Sequence, residues 1–271
     1  MDSKRRDFLK IAGISALAGI GAPSAFNMLL KGEAPVSAEA AAQPAAAPGA
    51  IRYGMVIDVR KFAGDPALAA QCIKACHSIH NVPDFGNRKD EIKWLWVESH
   101  QHAFPDDSQY KRPDYLPNMP ILTLCNHCDK PPCVRACPTK ATFRKKDGIV
   151  GMDYHRCIGC RFCMAACPYG ARSFNWRDPR GKDENGKPFI EKINEQYPAR
   201  MRGVVEKCNF CTERIAIGQI PACVEVATES KAMIFGDLND PDSEISQVLK
   251  NTFTLQRKPS LGTYPSLFYI I

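Results

Sequence analysis

The spacing of the cysteines constrains this chain more than any other feature of its sequence. The 271 residues include thirteen cysteines, which is too many for ordinary cysteine usage in a chain of this length. They fall into four groups, which begin at Cys72, Cys125, Cys157 and Cys208. Disulfides, zinc or iron–sulfur clusters could explain such grouping, and the spacing inside each group decides among them.

The stretch "CIGCRFCMAACPYGA" has the most specific spacing. Its cysteines follow the pattern C-x2-C-x2-C-x3-C directly before Pro168, and they are Cys157, Cys160, Cys163 and Cys167. In bacterial ferredoxins the first three thiolates of such a run bind one 4Fe–4S cluster and the fourth binds a second cluster. Two C-x2-C pairs on zinc would explain neither the three-residue offset nor the Cys–Pro ending. The run therefore predicts iron–sulfur clusters.

A second stretch, "CNHCDKPPCVRACPTKA", keeps this pattern with two residues added between its second and third cysteines. If the two runs exchange their fourth cysteines as ferredoxins do, two complete sites follow. Site 1 is predicted to consist of Cys125, Cys128, Cys133 and Cys167. Site 2 is predicted to consist of Cys157, Cys160, Cys163 and Cys137.

The other two groups together predict one further site. In the third group, Cys208, Cys211 and Cys223 occupy three ligand positions, but Ala227 stands where a fourth ligand would be. In "CIKACHSIHNVP", Cys72 and Cys76 match the third and fourth cysteines of a ferredoxin run. We therefore predict that site 3 consists of Cys208, Cys211, Cys223 and Cys76.

Cys72 is left over, which indicates a lost fourth site. Its two missing partners would fall at Pro66 and Ala69 in one register, or at Phe62 and Asp65 in another. Three 4Fe–4S clusters then account for every other cysteine. An alternative is haem attachment at "CIKACH", but this motif is one residue longer than C-x-x-C-H and its use would leave site 3 incomplete. The nearby histidines are more simply surface residues or residues behind the ligands, and they are His80, His100 and His102.

The N-terminal segment predicts export from the cytoplasm. "SKRRDFLK" places Arg5 and Arg6 before an apolar run over residues 11–30, which glycines and a proline interrupt. This pattern is typical of a twin-arginine signal over residues 1–40, followed by an Ala/Pro-rich linker over 41–50. A retained membrane anchor is the alternative, because the run is just long enough for a tilted span. The route carries folded, cofactor-loaded proteins, so we expect a periplasmic chain that is soluble or held at a membrane by a partner.

The motifs repeat a strand, a cysteine-bearing turn and a short helix, and they predict an α+β fold of tandem bacterial ferredoxin-like halves. The two halves are expected to be related by a pseudo-two-fold axis. The inner half is predicted over residues 118–175, and the outer half over residues 51–117 and 176–250. Within the outer half, residues 86–117 and 176–202 are rich in charge, proline and glycine and are interpreted as surface insertions. The stretch "RYGMVIDV" is predicted to be a β-strand, and "FGDLNDPDSEISQVL" is predicted to be a turn that leads into an amphipathic helix. Residues 251–271 are predicted to be a C-terminal extension.

Basic residues lie among the predicted ligands, and they are Lys130, Arg135, Lys140, Arg156, Arg161, Arg172 and Lys207. Each one is most simply a solvated charge. As a set they would offset the negative charge of thiolate-bound clusters and raise their reduction potentials. The formal net charge of +7 does not indicate nucleic-acid binding, because the cations form no stripe with interleaved aromatic residues.

From about Tyr53 to Asp240 the chain resembles the four-motif iron–sulfur electron-transfer subunits typified by polysulfide reductase, dimethyl sulfoxide reductase and NrfC-type proteins. The motifs that carry the resemblance are "CDKPPCVRACPTKA", "CIGCRFCMAACPYGAR", "KCNFCTERIAIGQIPACVEVATESKA" and "FGDLNDPDS". The chain departs from the family in the cysteines missing before Cys72 and in Ala227, so the resemblance supports three clusters rather than four.

The signal, the degenerate first motif and "ACHSIHNVP" are most similar to the DsrO or Hme type of subunit from the DsrMKJOP membrane complex of sulfate-reducing organisms. This resemblance implies a periplasmic subunit associated with the outer face of the cytoplasmic membrane. It also implies two partners, an NrfD-like integral membrane subunit that interacts with menaquinone (DsrP-type) and a multihaem cytochrome c (DsrJ-type). The alternative is the electron-transfer subunit of a molybdopterin oxidoreductase or of an NrfC-type nitrite reductase system.

Other function classes fit the residues less well. The sequence has no nucleotide-binding glycine loop and no nucleophile with its base, so we expect no independent catalytic site. A self-contained reductase would have to use the lost fourth site or Cys72 for chemistry. An interaction module built on disulfides or zinc would contain no iron.

Overall fold

The elements of this protein are short and follow one another closely. The computed structural model describes residues 50–105 and 118–271, so the predicted signal over 1–40 and all but the last residue of the predicted linker over 41–50 lie outside the described residues. In chain order the elements are β1 (Tyr53–Asp58), α1 (Val59–Gly64), α2 (Pro66–Ile79), β2 (Leu95–Ser99), α3 (His100–Ala103), β3 (Pro120–Leu124), α4 (Pro132–Arg135), β4 (Thr142–Arg144), β5 (Val150–Met152), α5 (Phe162–Ala165), β6 (Ser173–Phe174), β7 (Val205–Glu206), α6 (Thr212–Ile215), α7 (Ala222–Val226), β8 (Met233–Asp237), α8 (Glu244–Asn251), a 3-10 turn (Pro259–Leu261) and β9 (Leu267–Ile270).

A mixed three-stranded sheet joins the start of the described chain to its end. Strand β1 lies in the middle, antiparallel to β8 and parallel to β9. Met55 pairs with Phe235 on one side and with Leu267 on the other. Residues 54–58 are buried, which explains why "GMVI" is a continuous run of apolar residues and glycine rather than an alternation of apolar and polar residues.

Helix α2 carries the two cysteines of the first group. It begins at Pro66, whose fixed φ suits the first helical position, and the Asp65 side chain accepts a hydrogen bond from Leu68 N at 3.1 Å. Cys72 and Cys76 lie four residues apart on α2 and are both buried. One face of α2 therefore brings both thiols into the core.

Three antiparallel strand pairs complete the strand pairing, β2 with β3, β4 with β5, and β6 with β7. The first of these pairs shows that residues 86–117 are not simply the predicted surface insertion, because this range includes β2. Residues 106–117 of the range are not described. Trp94 and Leu95 lie in the main core, and Trp94 Nε1 donates to Glu206 Oε2 at 2.7 Å. The charged residues and prolines around this short buried segment are typical of a surface loop, so the sequence did not reveal its burial.

The predicted insertion over residues 176–202 contains no helix and only an isolated bridge, between Lys182 and Pro188. Its end is attached to the core through Arg200, whose Nε donates to Glu206 Oε2 at 2.7 Å in a fully buried ion pair. Because breaking one partner of a buried pair leaves an uncompensated charge, this contact holds the segment on the strand pair β6–β7.

The C-terminal segment 251–271 is joined to the core through β9 and is not an appended extension. Leu267 and Tyr269 of β9 are fully buried. Residues just before β9 also bind the second cysteine group, because Asp129 N donates to Tyr264 O at 2.9 Å and Lys130 N donates to Thr263 O at 3.0 Å. The sequence alone did not predict this pairing, because β9 and its partner β1 are separated by the whole length of the fold.

The predicted α+β class is confirmed by these small sheets and short helices. The turn and amphipathic helix predicted at "FGDLNDPDSEISQVL" are present, since α8 follows the capping residue Ser243 and buries Ile245. The division into two pseudo-two-fold halves stays a prediction. Over residues 50–105 and 118–271, no helix is both long and apolar enough to cross a bilayer.

Candidate metal centres

All thirteen cysteines lie among the described residues, and each one is a free thiol. The structure brings twelve of them together as three sets of four, and these sets are the predicted sites 1, 2 and 3. Every set combines cysteines from two motifs. The ligand roles themselves stay predictions, which the geometry of each set supports as follows.

The four thiols of site 2 line a single cavity. Helix α5 supplies Cys163, the loop before it supplies Cys157 and Cys160, and Cys137 comes from the second motif. The other lining residues are Thr139, Ala141, Met152, Ile158, Gly159, Arg161 and Val205. The lining offers four sulfur donors from cysteine and no carboxylate or imidazole. That donor set fits an iron–sulfur cluster, which is held by thiolates.

The backbone of each C-x2-C loop turns at its third residue. This residue has a left-handed φ in all three complete loops, +40° at His127, +70° at Gly159 and +56° at Phe210. At Gly159 a side chain would also collide with the Gly203 carbonyl and approach Phe174 at 3.1 Å. Glycine is therefore required at that position by both its backbone conformation and its close neighbours.

Three of the four cysteines of site 1 are buried and Cys167 is partly buried, and their thiols lie close enough to repel one another as anions. Burial and the neighbouring Cys125 raise the pKa of Cys128 to about 12, although a hydrogen bond from Thr263 acts in the opposite direction. Burial and Cys125 likewise raise the pKa of Cys167. A bound cationic cluster core would relieve this repulsion, since metal binding displaces the thiol protons.

Site 3 combines the second thiol of α2 with the third cysteine group. Burial raises the pKa of Cys76 well above its usual value, and the thiolates of Cys208, Cys223 and Cys211 raise it further. Cys223 is carried by α7, which packs against α2. This helix contact brings Cys76 to the three thiols that lack a fourth partner in sequence.

Cys72 lies one helical turn before Cys76, in different surroundings. Its thiol donates to the backbone carbonyl of Cys223 at 3.4 Å, and burial raises its pKa to about 11. Ala227, where a fourth ligand would be, is fully buried. Two of the positions where missing ligands would fall have structural tasks instead, because Phe62 is in the core and Asp65 caps α2.

Site 1 is the neighbour of both other sites. Cys133 of site 1 raises the pKa of Cys163 of site 2, after burial and against the effect of Arg172. Cys125 of site 1 contributes to the raised pKa of Cys208 of site 3, after the effects of burial and of the Phe210 N–H. Site 1 therefore has a close cysteine neighbour in each of the other two sites.

His80 lies directly behind site 3. Its Nδ1 is 3.8 Å from Cys76 Sγ, its Nε2 is 2.7 Å from Glu213 Oε1, and its ring stacks on Trp94 at 4.5 Å. Burial opposes a charge on the imidazole, but Cys211 and Glu213 outweigh it and raise the pKa of His80 to about 9. The side chains of His80, Cys211 and Glu213 each place one possible ligand atom within 4.8 Å of the other two. Because Cys211 is already a predicted ligand of site 3, this group belongs to that site.

The sequence did not single out two residues that contact the sites. His127 is fully buried, accepts a hydrogen bond from Val150 N at 3.1 Å and stacks on Phe210 at 3.7 Å. Burial and then the cations of Lys207 and Arg172 lower the pKa of His127 well below its usual value, so the ring is neutral. Thr263 lies against Cys128. The position of His127 between two cysteines was the only signal for it, and Thr263 had none.

Comparison with known proteins identifies the relatives of this chain. A family model described as a 4Fe-4S dicluster domain matches residues 118–183, which contain all eight cysteines of sites 1 and 2. The "Hdr-like menaquinol oxidoreductase iron-sulfur subunit 1" of Archaeoglobus fulgidus is 39% identical over 236 residues, covering 80% of this chain and 82% of that protein. The "Menaquinone reductase, iron-sulfur cluster-binding subunit" of Nitratidesulfovibrio vulgaris is 35% identical, covering 81% and 89%. "Protein NrfC" of Escherichia coli K12 is 36% identical, covering 81% of each chain.

Proposed function

We infer the function from one premise: this chain belongs to the family of iron–sulfur electron-transfer subunits that includes those of menaquinol oxidoreductases, dimethyl sulfoxide reductase and the NrfC system. The chain accordingly binds 4Fe–4S clusters. From this premise we propose the number of clusters, their role and the complex in which they work.

We propose that the chain holds three 4Fe–4S clusters, one in each site. The observation that carries the proposal is the gathering of twelve free thiols as three sets of four, each drawn from two motifs. When bound, each cluster supplies a one-electron couple. Four thiolates complete the cubane, so no iron position is left open for a substrate, and the sites are suited to electron transfer rather than to bond chemistry.

The order of the sites supports a relay within one chain. Cys133 of site 1 lies close to Cys163 of site 2, and Cys125 of site 1 lies close to Cys208 of site 3. Cys157 and Cys160 of site 2 are partly exposed, whereas all four cysteines of site 3 are buried. An electron that enters at the accessible edge of site 2 would therefore pass through site 1 to reach site 3.

For the complex, we propose a periplasmic subunit of the DsrMKJOP type. It would dock on an NrfD-like membrane subunit, near a multihaem cytochrome c, and exchange electrons with the menaquinone pool. The support is the twin-arginine pattern at Arg5 and Arg6, together with relatives whose names include menaquinol oxidoreductase and menaquinone reductase. The second candidate is a subunit of a molybdopterin oxidoreductase or an NrfC-type system, which the similarity to NrfC favours.

The first experiment measures iron and acid-labile sulfide in anaerobically purified protein and records EPR spectra of the reduced form. Three clusters predict about twelve irons per chain with signals from interacting cubanes. About sixteen irons would mean that ligands other than cysteine rebuild the fourth site, and about eight would leave one of the three sites without a cluster. Zinc in place of iron would overturn the electron-transfer function.

The complex is tested by purifying a tagged chain from detergent-solubilised membranes of its native host. Covalently bound haem, without molybdenum and without nitrite reductase activity, supports the DsrMKJOP type. Molybdenum or nitrite reductase activity supports the second candidate. Recovery of the chain without any other redox subunit would contradict both.

Localisation has its own test. The double variant Arg5→Lys with Arg6→Lys is expected to remain in the cytoplasm, because the twin-arginine route requires the arginine pair. Cell fractionation measures the result, with Lys4→Arg as the matched control. An unchanged periplasmic fraction in the double variant would contradict export by this route.

A further inference from the structure

The structure separates the seven basic residues of the cysteine motifs into two kinds. Five of them have exposed side chains, and these are Lys130, Arg135, Lys140, Arg156 and Arg161. Arg172 and Lys207 are instead buried, with only 5% and 1% of their surface exposed. A buried cation is costly unless an anion or several acceptors compensate it, so these two residues need an explanation that solvent cannot supply.

Arg172 lies at the junction between sites 1 and 2. Its Nη1 donates to Thr142 Oγ1 at 3.2 Å and reaches Met152 Sδ at 3.7 Å. Met152 packs against the buried cluster that contains Cys133 of site 1 and Cys163 of site 2. Burial disfavours its charge, but the thiolates of Cys133 in site 1 and Cys163 in site 2 outweigh burial and raise its pKa. Among the described residues, no carboxylate is one of the main contributors to this effect. The compensating anions of Arg172 are therefore cluster ligands of two different sites.

Lys207 lies at the junction between sites 1 and 3. Its ammonium donates to the backbone carbonyl of Cys208 at 2.7 Å and to that of Val150. It counteracts the raised pKa of the Cys208 thiol, whose neighbours also include Cys125 of site 1. It also acts on His127, which lies between two ligands of site 1. The neighbouring carboxylate Glu206 is already paired with Arg200.

We propose that Arg172 and Lys207 are potential-setting residues, each shared by two adjacent clusters, so that site 1 is influenced by both cations and sites 2 and 3 by one each. Reduction adds negative charge to a cluster that is already anionic. A fixed cation in a low-dielectric interior stabilises the reduced state more than the oxidised state, which raises the reduction potential. The two cations would keep the reduction potential of the middle cluster from falling below those of its neighbours, which would make electron transfer onto it unfavourable. This inference rests on the proposed function, because it requires that the three sites hold clusters.

The test is a redox titration of the full chain followed by EPR, after iron analysis has established how many clusters each variant holds. Arg172→Gln and Lys207→Gln remove one buried charge each. We expect each variant to disfavour reduction of two of the three couples by about tenfold, the effect of one nearby charge. That change corresponds to a shift of about 59 mV toward lower potential for a one-electron couple. The potential of the third couple should stay unchanged in each variant. Only the couple of site 1 should shift in both variants.

The matched control is Arg156→Gln. Arg156 stands next to the site 2 ligand Cys157, but its side chain is 68% exposed and it pairs with Asp153 at 3.2 Å. Solvent screens such a charge, so we expect no resolved shift of any couple. An equal shift in this control would overturn the role of burial. Fully loaded glutamine variants with unchanged potentials would overturn the proposal itself.

The conservative variants decide the case in which a glutamine variant loses iron. Arg172→Lys and Lys207→Arg keep the charge, and we expect them to retain both the iron content and the potentials of the native chain. Arg172→Lys or Lys207→Arg could instead lose iron, or its clusters could show the lowered potentials of the glutamine variant. Either result would mean that the charge alone does not set the potentials and that the residue acts only through packing. Too little iron in the native chain would instead contradict the proposed function.

Discussion

At the scale of single residues, the difference between a ligand and a spare cysteine comes from one turn of helix. Cys72 and Cys76 are both buried on α2, and both have raised pKa values because of burial. Three thiols surround Cys76, whereas Cys72 donates to a backbone carbonyl. Burial and residue type therefore do not distinguish them, and only the neighbours do.

This difference predicts opposite results for two alanine variants. Cys76→Ala should lose one cluster, about four irons per chain, because site 3 keeps only three thiols. Cys72→Ala should keep the full iron content and lose only the packing of one sulfur atom. Iron and sulfide analysis of both proteins measures the result. A loss of iron from Cys72→Ala would show that this thiol is a ligand after all.

A second prediction at this scale concerns Gly159. Its φ of +70° and the nearby Gly203 carbonyl leave no room for a side chain. Gly159→Ala should therefore displace Cys157 and Cys160 and cost the chain the site 2 cluster, again about four irons. Gly64→Ala is the control, since no atom would contact its added methyl group and its φ is ordinary. Equal iron in both variants would show that the loop accommodates the change.

At the scale of elements, the cysteines are carried by short pieces of structure that cannot be stable alone. Helices α4 and α5 have four residues each, and strands β6 and β7 have two residues each. Isolated helices of this length are not stable in water, so tertiary contacts must supply their stability. The main sheet supplies part of it, because β9 completes that sheet and the residues before β9 bind the second cysteine loop.

The importance of β9 can be measured by two leucine variants. Leu267→Ala removes a fully buried side chain from β9 and should lower the free energy of unfolding by about 2–5 kcal/mol. Leu261→Ala, in the exposed 3-10 turn, should change it by less than about 0.5 kcal/mol. Thermal unfolding of the two loaded proteins under anaerobic conditions gives the comparison. Equal melting temperatures would mean that residues 251–271 are an appendage.

At the scale of the whole molecule, the three sites connect segments that are far apart in sequence. Site 3 joins α2 to the group around Cys208, and sites 1 and 2 exchange ligands between two motifs. Each cluster would therefore act as a crosslink with four attachments. Thiol protons must also be displaced when the metal binds, so loading and folding are expected to be coupled.

Removing the iron should therefore weaken the whole fold. After treatment with an iron chelator under oxidising conditions, we expect loss of near-ultraviolet circular dichroism and of the cooperative thermal transition. Reconstitution with iron and sulfide should restore both signals. An apoprotein with the melting curve of the loaded protein would show that the core folds independently of its clusters.

The cysteine spacing by itself determined the family and which thiols should be partners, because cluster ligation draws on closely spaced residues whose pattern is visible in sequence. It also determined β1 and α8, whose apolar patterns are local. Only the tertiary structure decided that Trp94 and β9 belong to the core, since their burial depends on pairing with residues far along the chain. For the same reason, only the tertiary structure separated the seven basic residues into five with exposed side chains and two with buried ones. The surroundings of a side chain are set by segments that the local sequence does not contain.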